Sequence, residues 1–309
     1  MIYRLYFRTG RFCAGRAAAQ EQETPAPKTY KIYAVCDAHL DTQWNWDLTH
    51  TIREYIPRIL FQNLWMLERY PDYKFNFEGG IIYRWMKEYY PLHYARLQKY
   101  IDEGRWHISG ASWNANDPNM PSAESFIRNI LQGQELYKRE FGVRSTDIFL
   151  PDCFGFGYTL PSLAAHCGLI GFSTQKLSWR KHDFFPDAPY HKKNPFSWGV
   201  WYGIDGQSLM AAFDTGGYTA ELPADAGYNK DFIRRASNGF DNTAMRYYSG
   251  GHLHGTTNCG DKGNSGTVTT ARRMAAAMAD PDAPVQLISA TSDQLFLDYM
   301  AVSYTHLRA

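Results

Sequence analysis

The sequence YKIYAVCDAHLD, residues 30–41, contains the first strand of the predicted fold and the first polar motif. Its first seven residues, Tyr30–Cys36, alternate and are rich in Tyr, Ile and Val, which is typical of a β-strand. The strand runs directly into His39 and Asp41, and side chains two residues apart on an extended backbone point in the same direction. We therefore expect an imidazole and a carboxylate to converge at one strand end.

A second polar strand end follows the predicted strand 148–150, in the sequence PDCFG of residues 151–155. Asp152 would bring a third ligand to His39 and Asp41, and this combination of imidazole and carboxylates is suited to zinc. A His-x-Asp pair is a weak signal alone, because most such pairs are polar surface or a histidine held by a neighbouring carboxylate. The three residues by themselves predict an incomplete metal site.

Strands and helices alternate along the rest of the chain, which predicts an α/β fold with a mainly parallel sheet. The predicted strands are 73–77, 106–109, 148–150, 169–172, 209–213 and 285–288, and the predicted helices are 49–70, 81–90, 92–103, 122–141, 160–166 and 269–279. Pro57 marks a kink or a late start in the first helix. Residues 180–265 show little periodicity, and we predict mostly long loops over the strand ends there.

Composition narrows the classes of function. Of the 309 residues, 44% are apolar, which is enough for a substantial core. The 32 basic and 31 acidic residues nearly balance, which argues against nucleic acid or an anionic membrane as the main partner. No apolar run approaches the roughly 20 residues of a membrane span. The five cysteines form no C-x-x-C pair, so neither a disulfide framework nor a thiolate zinc site is predicted.

The N-terminal residues 1–28 are predicted to form a tail outside the folded domain. Basic residues and a small-residue end resemble an export signal, but Arg8, Arg11 and Arg16 interrupt any apolar core of such a signal. The tail therefore reads as a damaged signal segment. It predicts an extracytoplasmic location, periplasmic or secreted, with the cytoplasm as the alternative.

Further motifs follow the two strand ends in a fixed order. They are residues 39–44 (HLDTQW), 104–106 with Asp117 and 124–128, 150–155 (LPDCFG), 174–179 (TQKLSW), 203–206 (GIDG) and 260–263 (GDKG). With these blocks the chain resembles the zinc-dependent retaining α-mannosidases of glycoside hydrolase family 38, from about Tyr30 to Asp298. The resemblance implies a seven-stranded parallel β/α barrel of the glycoside hydrolase and deacetylase type.

The resemblance also implies roles for the metal site. His39, Asp41 and Asp152 would bind one zinc ion, and Asp152 would in addition be the nucleophile that forms a covalent mannosyl-enzyme. Trp44 would form the floor under the sugar, with core packing as the alternative. Lys176 would keep the nucleophile ionised by its adjacent positive charge, with an exposed loop lysine as the alternative.

The remaining implied roles concern the substrate. Retention requires a second carboxyl group to protonate the leaving oxygen, and the resemblance points to Asp261, although an Asp beside Gly is often a turn former. Asp117 and Asp205 would contact sugar hydroxyls, with bonds to the protein as the alternative. Glu124 and Arg128, four residues apart on one helix, are predicted to form a structural ion pair instead.

Two features depart from the family pattern. Family members usually carry a His two positions before the metal-binding His, and Asp37 occupies that position here. The family's fourth zinc ligand is a His in a downstream His-Asp pair, and none occurs after Asp298. We therefore interpret the chain as a fragment with a catalytic α/β domain at 29–300 and a non-native-looking tail at 301–309, truncated before the family's helical and β domains.

Three functions follow from these observations. The first is hydrolysis of terminal α-mannosidic bonds, by a parent enzyme of which this fragment alone is expected to be inactive. The second is an inactive fragment that binds sugar or metal. The third is a zinc-dependent carbohydrate deacetylase, which also places Asp and His after strands. The Asp-x-Phe-Gly and Gln-Lys-Leu-Ser-Trp sequences favour the mannosidase.

Overall fold

The computed structural model describes residues 30–175, 197–213, 221–237, 244–249 and 265–306. The strands in these residues are β1 Tyr30–Cys36, β2 Phe75–Phe77, β3 Trp106–Ile108, β4 Asp147–Phe149, β5 Gly171–Thr174, β6 Trp198–Tyr202, β7 Ser208–Phe213, β8 Ala244–Ser249 and β9 Val285–Ser289. The helices are α1 Leu48–His50, α2 Ile56–Arg69, α3 Gly80–Tyr89, α4 Pro91–Tyr94, α5 Leu97–Asp102, α6 Ala123–Phe141, α7 Leu160–His166, α8 Lys230–Ala236, α9 Val268–Met278 and α10 Gln294–His306. The α/β class predicted from the sequence is confirmed.

The described strands form three sheets, ordered β8-β1-β9, β2-β3 and β4-β5-β7-β6. All pairs are parallel except β6 with β7, which form an antiparallel hairpin. The sheets are therefore mainly parallel, as predicted, but they are not wholly so. Strand β1 is buried from Ile32 onward, because sheet neighbours flank it on both sides and its apolar side chains enter two core clusters.

Side-chain and backbone hydrogen bonds link the three sheets to one another. An isolated parallel bridge joins Asp37, just after β1, to Asn76 in β2. The backbone N–H of Ala111, after β3, donates to Ser145 Oγ before β4 at 3.2 Å. The indole N–H of Trp198 in β6 donates to the carbonyl of Ala244 in β8 at 2.8 Å. Each sheet is thus connected to the other two.

Asn76 is the most connected of these linking residues and is fully buried. Its side-chain amide donates to the carbonyls of Cys36 at 2.9 Å and Ala290 at 3.2 Å. Its side-chain oxygen accepts from the backbone N–H of Ser292 at 2.8 Å. The residue therefore satisfies backbone groups at the ends of both β1 and β9, groups that would be costly to bury without partners.

The helices follow their sequence signals. A π-helical turn, Thr51–Tyr55, joins α1 to α2 and lies immediately before Pro57, so the predicted irregularity at the proline is confirmed. Helix α6 begins after Ser122, whose side chain accepts from the backbone N–H of Ser125. It ends at Gly142, whose φ of 73° suits a residue without a Cβ.

The largest fully buried side chains of the described residues are aromatic rings. Phe75, Phe77 and Trp106 are fully buried on the neighbouring strands β2 and β3, and their rings meet at centroid distances of 4.9 to 6.4 Å. The indole N–H of Trp106 donates to the Tyr83 hydroxyl at 2.8 Å, so its one polar group is satisfied. These three rings thus serve packing.

Four of the described elements, β6, α8, β8 and α10, were not predicted from the sequence. Strand β6, helix α8 and strand β8 lie within the interval 180–265, where we predicted mostly loops. The segment 301–306 also differs from its prediction, because α10 continues through His306 where no helix was expected. No helix in the described residues combines the length and apolarity needed to cross a membrane.

Helix α10 packs closely on strand β5. The ring of Phe296 covers Gly171, and a Cβ built at position 171 would lie 2.2 Å from Cδ2 of that ring. A second contact comes from Tyr33 in β1, whose hydroxyl donates to Asp298 at 2.8 Å. The helix is therefore fixed against two different sheets.

Candidate metal centre and active site

The predicted metal ligands converge in the structure. His39 and Asp41 follow β1, and Asp152 follows β4, so all three lie at the carboxyl ends of parallel strands. His39 Nε2 lies 3.3 Å from Asp41 Oδ1 and 3.9 Å from Asp152 Oδ2. One ligand atom from each residue lies within 4.8 Å of the others, which is close enough for a shared ion.

The electrostatics of the cluster favour a cation. Burial alone would lower the pKa of His39, but hydrogen bonds to Asp41 and Glu78 and the charges of these carboxylates outweigh it and raise that pKa to about 10. A positive charge at the imidazole is thus stabilised by the surrounding carboxylates. One borderline nitrogen donor and two carboxylates, with Asp41 and Asp152 partly exposed, fit a zinc ion.

Two further carboxyl groups lie beneath the cluster. Glu78 is 6% exposed and its Oε1 lies 3.4 Å from His39 Nδ1, while Asp37 is fully buried and accepts from the backbone N–H of Ala38. Burial raises the pKa of both groups, and the charge of Glu78 raises the pKa of Asp37 further, whereas His39 opposes the rise at Glu78. Asp37, which occupies the position where family members usually carry a His, thus adds a buried acid and not a ligand at the edge of the site.

A pocket of about 200 Å³ opens over the three predicted ligands. Its other lining residues come from two loops: Ala115, Asn116, Asp117 and Asn119 after β3, and Leu150, Pro151, Cys153 and Phe154 after β4. The two loops are joined by the side-chain amide of Asn119, which donates to the carbonyl of Gly155 at 2.9 Å. The pocket can therefore hold a small ligand directly against Asp152.

The other predicted site residues have different positions. Asp117 lines the pocket, and its carboxylate accepts from the backbone N–H of Asn119 at 2.8 Å. Trp44 lies in the loop after β1, is 58% exposed and contacts Trp46 edge to face, so it is not a core residue. Lys176 and Asp261 lie outside the described residues.

Asp205, for which we predicted contact with sugar hydroxyls or bonds to the protein, makes bonds to the protein. Asp205 lies in the turn between β6 and β7, at the amino end of β7, and hence at the opposite edge of the sheet from Asp152. Its carboxylate accepts from the Ser162 hydroxyl at 2.6 Å and contacts His166 Nε2 at 2.7 Å. It therefore ties the hairpin to α7. Glu124 and Arg128 form the predicted ion pair at 2.7 Å.

Sequence reasoning missed two residues of the site, Glu78 and Asn116. Glu78 directly follows β2, and a carboxylate at the end of a parallel strand was a usable signal. Asn116 is 8% exposed and lines the pocket, but it lies eight residues after β3 in an irregular loop, where no local pattern points to it. A larger cleft of about 680 Å³, lined among others by Arg84, Trp113 and Leu131, contains none of the ligand residues.

Comparison with solved structures shows where this fold occurs. An α-mannosidase from Enterococcus faecalis V583 superposes with a TM-score of 0.66 at 18% identity, covering 88% of this chain and 29% of that one. A putative polysaccharide deacetylase from Mycobacterium smegmatis gives a TM-score of 0.56 at 13% identity, covering 92% of this chain and 95% of that one. These likenesses support the fold alone.

Sequence comparison is more specific. Alpha-mannosidase G of Dictyostelium discoideum is 34% identical over 230 residues, 72% of this chain and 19% of that protein. Alpha-mannosidase of Saccharomyces cerevisiae is 31% identical over 246 residues, which are 79% of this chain and 21% of that protein. The chain spans about a fifth of the length of these curated relatives. The model of the glycosyl hydrolases family 38 N-terminal domain matches residues 29–301. The chain therefore belongs to the family of glycosyl hydrolases family 38 N-terminal domains.

Proposed function

We propose that this chain provides the metal and nucleophile residues of an enzyme that hydrolyses terminal α-mannosidic bonds with retention. The observation that carries the proposal is the convergence of His39, Asp41 and Asp152 in one pocket. The names of the relatives, alpha-mannosidases at 31% and 34% identity, supply the substrate class. The substrate is thus an α-mannoside or a mannose-containing oligosaccharide.

The three ligand residues would hold one zinc ion. When bound, the metal would act as a Lewis acid that holds sugar hydroxyls and favours distortion of the ring. His39 contributes a buried and rigid donor, since it is 3% exposed, whereas Asp41 and Asp152 reach the pocket from the solvent side. A complete zinc site would need a fourth ligand in addition to these three residues, and we assign none.

Asp152 is the proposed nucleophile. Its carboxylate would attack the anomeric carbon and form a covalent mannosyl ester, which water then hydrolyses. Lys176 would keep this carboxylate ionised, and Asp261 would protonate the leaving oxygen and later activate the water. Asp117 would orient sugar hydroxyls from the pocket wall, and the exposed ring of Trp44 would stack against the sugar.

The deacetylase alternative shares the fold but has less support. Its structural likeness is at 13% identity, which carries the fold and no chemistry. The relatives above 30% identity are named as mannosidases. Release of acetate from an acetylated sugar, with no hydrolysis of an aryl α-mannoside, would favour the deacetylase.

We also propose that the three sheets belong to one β/α barrel, although the described residues form nine strands and the resemblance implies seven. Three links support this closure: the bridge of Asp37 with Asn76, the bond of Ala111 to Ser145, and the bond of Trp198 to Ala244. Together they lead from the first sheet to the second, the third and back to the first. A barrel would explain why ligands from β1 and β4, which lie in different sheets, face one pocket.

Metal analysis of the dialysed protein tests the proposed ligands. We expect about one zinc per chain, lost in His39→Ala because a buried donor of the site is removed. His107→Ala is the matched control, since His107 is a half-buried histidine paired with Asp293 at 3.6 Å and is absent from the cluster. Zinc retained in His39→Ala, or lost equally in both variants, would contradict the assignment.

Covalent labelling tests the nucleophile. A slowly hydrolysed fluorinated α-mannosyl fluoride should esterify Asp152, and peptide mass spectrometry should locate the added mass on that residue. In the parent enzyme, Asp152→Asn should remove the label. The same variant should lower the rate at which that enzyme hydrolyses an activated aryl α-mannoside by several powers of ten. If preparations that hydrolyse the aryl mannoside carry the label on another residue, Asp152 is not the nucleophile.

A further inference from the structure

The imidazole of His39 lies between two carboxylates, one at each ring nitrogen. Nε2 faces Asp41 at 3.3 Å and, beyond it, Asp152, whereas Nδ1 faces Glu78 Oε1 at 3.4 Å. Glu78 directly follows β2 and His39 follows β1, so the contact spans 39 residues of sequence. Both side chains are more than nine-tenths buried.

We propose that Glu78 is a positioning residue for the metal site. Its carboxylate accepts the hydrogen bond from Nδ1–H, which fixes the ring orientation and leaves Nε2 directed at the ion. Histidines that bind metals commonly donate their other N–H to a carboxylate in this way, and such partners raise ligand basicity. The inference rests on the metal site proposed above and adds a residue that does not touch the ion.

Glu78 is itself held by the backbone that follows β3. Gly110 has a φ of 70°, and a Cβ at this position would lie 2.6 Å from Glu78 Oε2 and 2.9 Å from Glu78 Cβ. The glycine therefore serves two purposes, a left-handed backbone and room for the glutamate. Any side chain at position 110 would displace the carboxylate that faces His39.

The neighbouring acid, Asp37, does not compete for this role. Asp37 Oδ1 accepts from the backbone N–H of Ala38, which keeps that oxygen on its own turn. The carboxylate of Glu78 is the one that lies on the Nδ1 side of the ring. Glu78, rather than Asp37, is thus the residue whose loss should loosen the imidazole.

Zinc affinity of the 309-residue chain tests the proposal through competition with a chromophoric chelator. We expect Glu78→Leu to bind zinc about 10- to 100-fold more weakly, and Glu78→Gln to lie closer to the wild type because its amide oxygen still accepts from Nδ1–H. Gln134→Leu is the control: Gln134 is 3% exposed, and its side-chain bonds in the described residues go to Ser145 and not to His39 or Glu78. Its zinc affinity should equal that of the wild type.

Cobalt substitution separates positioning from a general loss of structure. The visible bands of bound Co²⁺ report the ligand geometry, so they should shift in Glu78→Leu and stay unchanged in Gln134→Leu even if both variants melt earlier. Gly110→Ala should weaken zinc binding in the wild type but add little in Glu78→Ala, where the clash is gone. This non-additivity identifies the carboxylate as the link between position 110 and the ion.

The outcomes distinguish the two proposals. Zinc binding that is lost in His39→Ala but unchanged in folded Glu78→Leu, with an unshifted cobalt spectrum, would overturn the role of Glu78 and leave the metal site intact. A wild-type chain that binds no zinc would overturn both. Circular dichroism of each variant establishes that the folded protein is being compared.

Discussion

The largest fully buried side chain of the described residues is that of Trp106. Trp106 is fully buried, touches Phe75 and Phe77, and donates its N–H to Tyr83. We expect Trp106→Ala to lower the free energy of unfolding by about 3 to 5 kcal/mol, because it leaves a cavity and an unmet partner. Urea unfolding measures the change.

The matched control for this prediction is Trp65→Ala. Trp65 is 40% exposed on α2 and carries Arg69 over its ring at 4.2 Å, so its loss should cost about 1 kcal/mol or less. Equal losses at positions 65 and 106 would mean that the aromatic cluster of β2 and β3 is not a dense core.

The proximity of the three proposed metal ligands could be predicted from the sequence at this same scale. His39 and Asp41 are two residues apart, so the period of an extended chain alone directs them to one side, and Asp152 follows a second apolar strand. Glu78 and Asn116 could not be assigned in this way. Their contacts with the site depend on how β2 and the loop after β3 lie against β1, which is tertiary information.

At the scale of elements, the β6–β7 hairpin is tied to α7 by Asp205. Hydrogen bonds from Ser162 and His166 lower the pKa of Asp205 to about 2 from the 3.8 of an unperturbed Asp. Because the folded-state pKa is the lower one, ionised Asp205 stabilises the fold above about pH 4, and this contribution is lost as the pH falls through 2. The stability difference between wild type and Asp205→Asn should therefore shrink from pH 5 to pH 2.

Isothermal urea unfolding across this pH range measures that difference. Asp231→Asn is the control, since Asp231 is an exposed carboxylate near Arg234 at 3.4 Å on α8 and lacks the Ser162 and His166 donors that hold Asp205. A pH-independent difference for Asp205→Asn would show that the ionised carboxylate does not contribute to the tie.

Elements with strong periodic or capping signals were predicted well, and the others were not. The Ser122 cap and Gly142 end of α6 satisfy backbone groups locally, so the sequence alone specifies the helix limits. By contrast, β6 has partly exposed or exposed residues throughout and depends on its antiparallel partner β7. Helix α8 is an exception, because Asn229 caps it but the interval around it shows little periodicity and the helix was missed.

For the whole molecule, the proposed metal site lies between two of the three sheets of the described residues. Its ligands come from β1 in one sheet and β4 in another. An ion that binds only the folded state stabilises it by about 2.7 kcal/mol at 100 times its dissociation constant. We expect zinc to raise the melting temperature by roughly 5 °C, and a chelator to reverse the rise.

Differential scanning fluorimetry with zinc, with chelator and with neither measures this effect. The rise should vanish in His39→Ala and persist in His107→Ala, which keeps all three ligands. If zinc shifts both variants equally, the stabilisation comes from sites other than the one between β1 and β4.

The contact between Phe296 and Gly171 has a consequence for sequence drift. A side chain at position 171 would meet the ring of α10 at 2.2 Å, so neither position can change freely while the other keeps its present residue. An alanine could become acceptable at 171 only after 296 had lost its ring, and that intermediate would carry a void between β5 and α10. In related sequences that descend from this one, a side chain at position 171 should therefore occur only together with a smaller residue at position 296, and the change at 296 should come first.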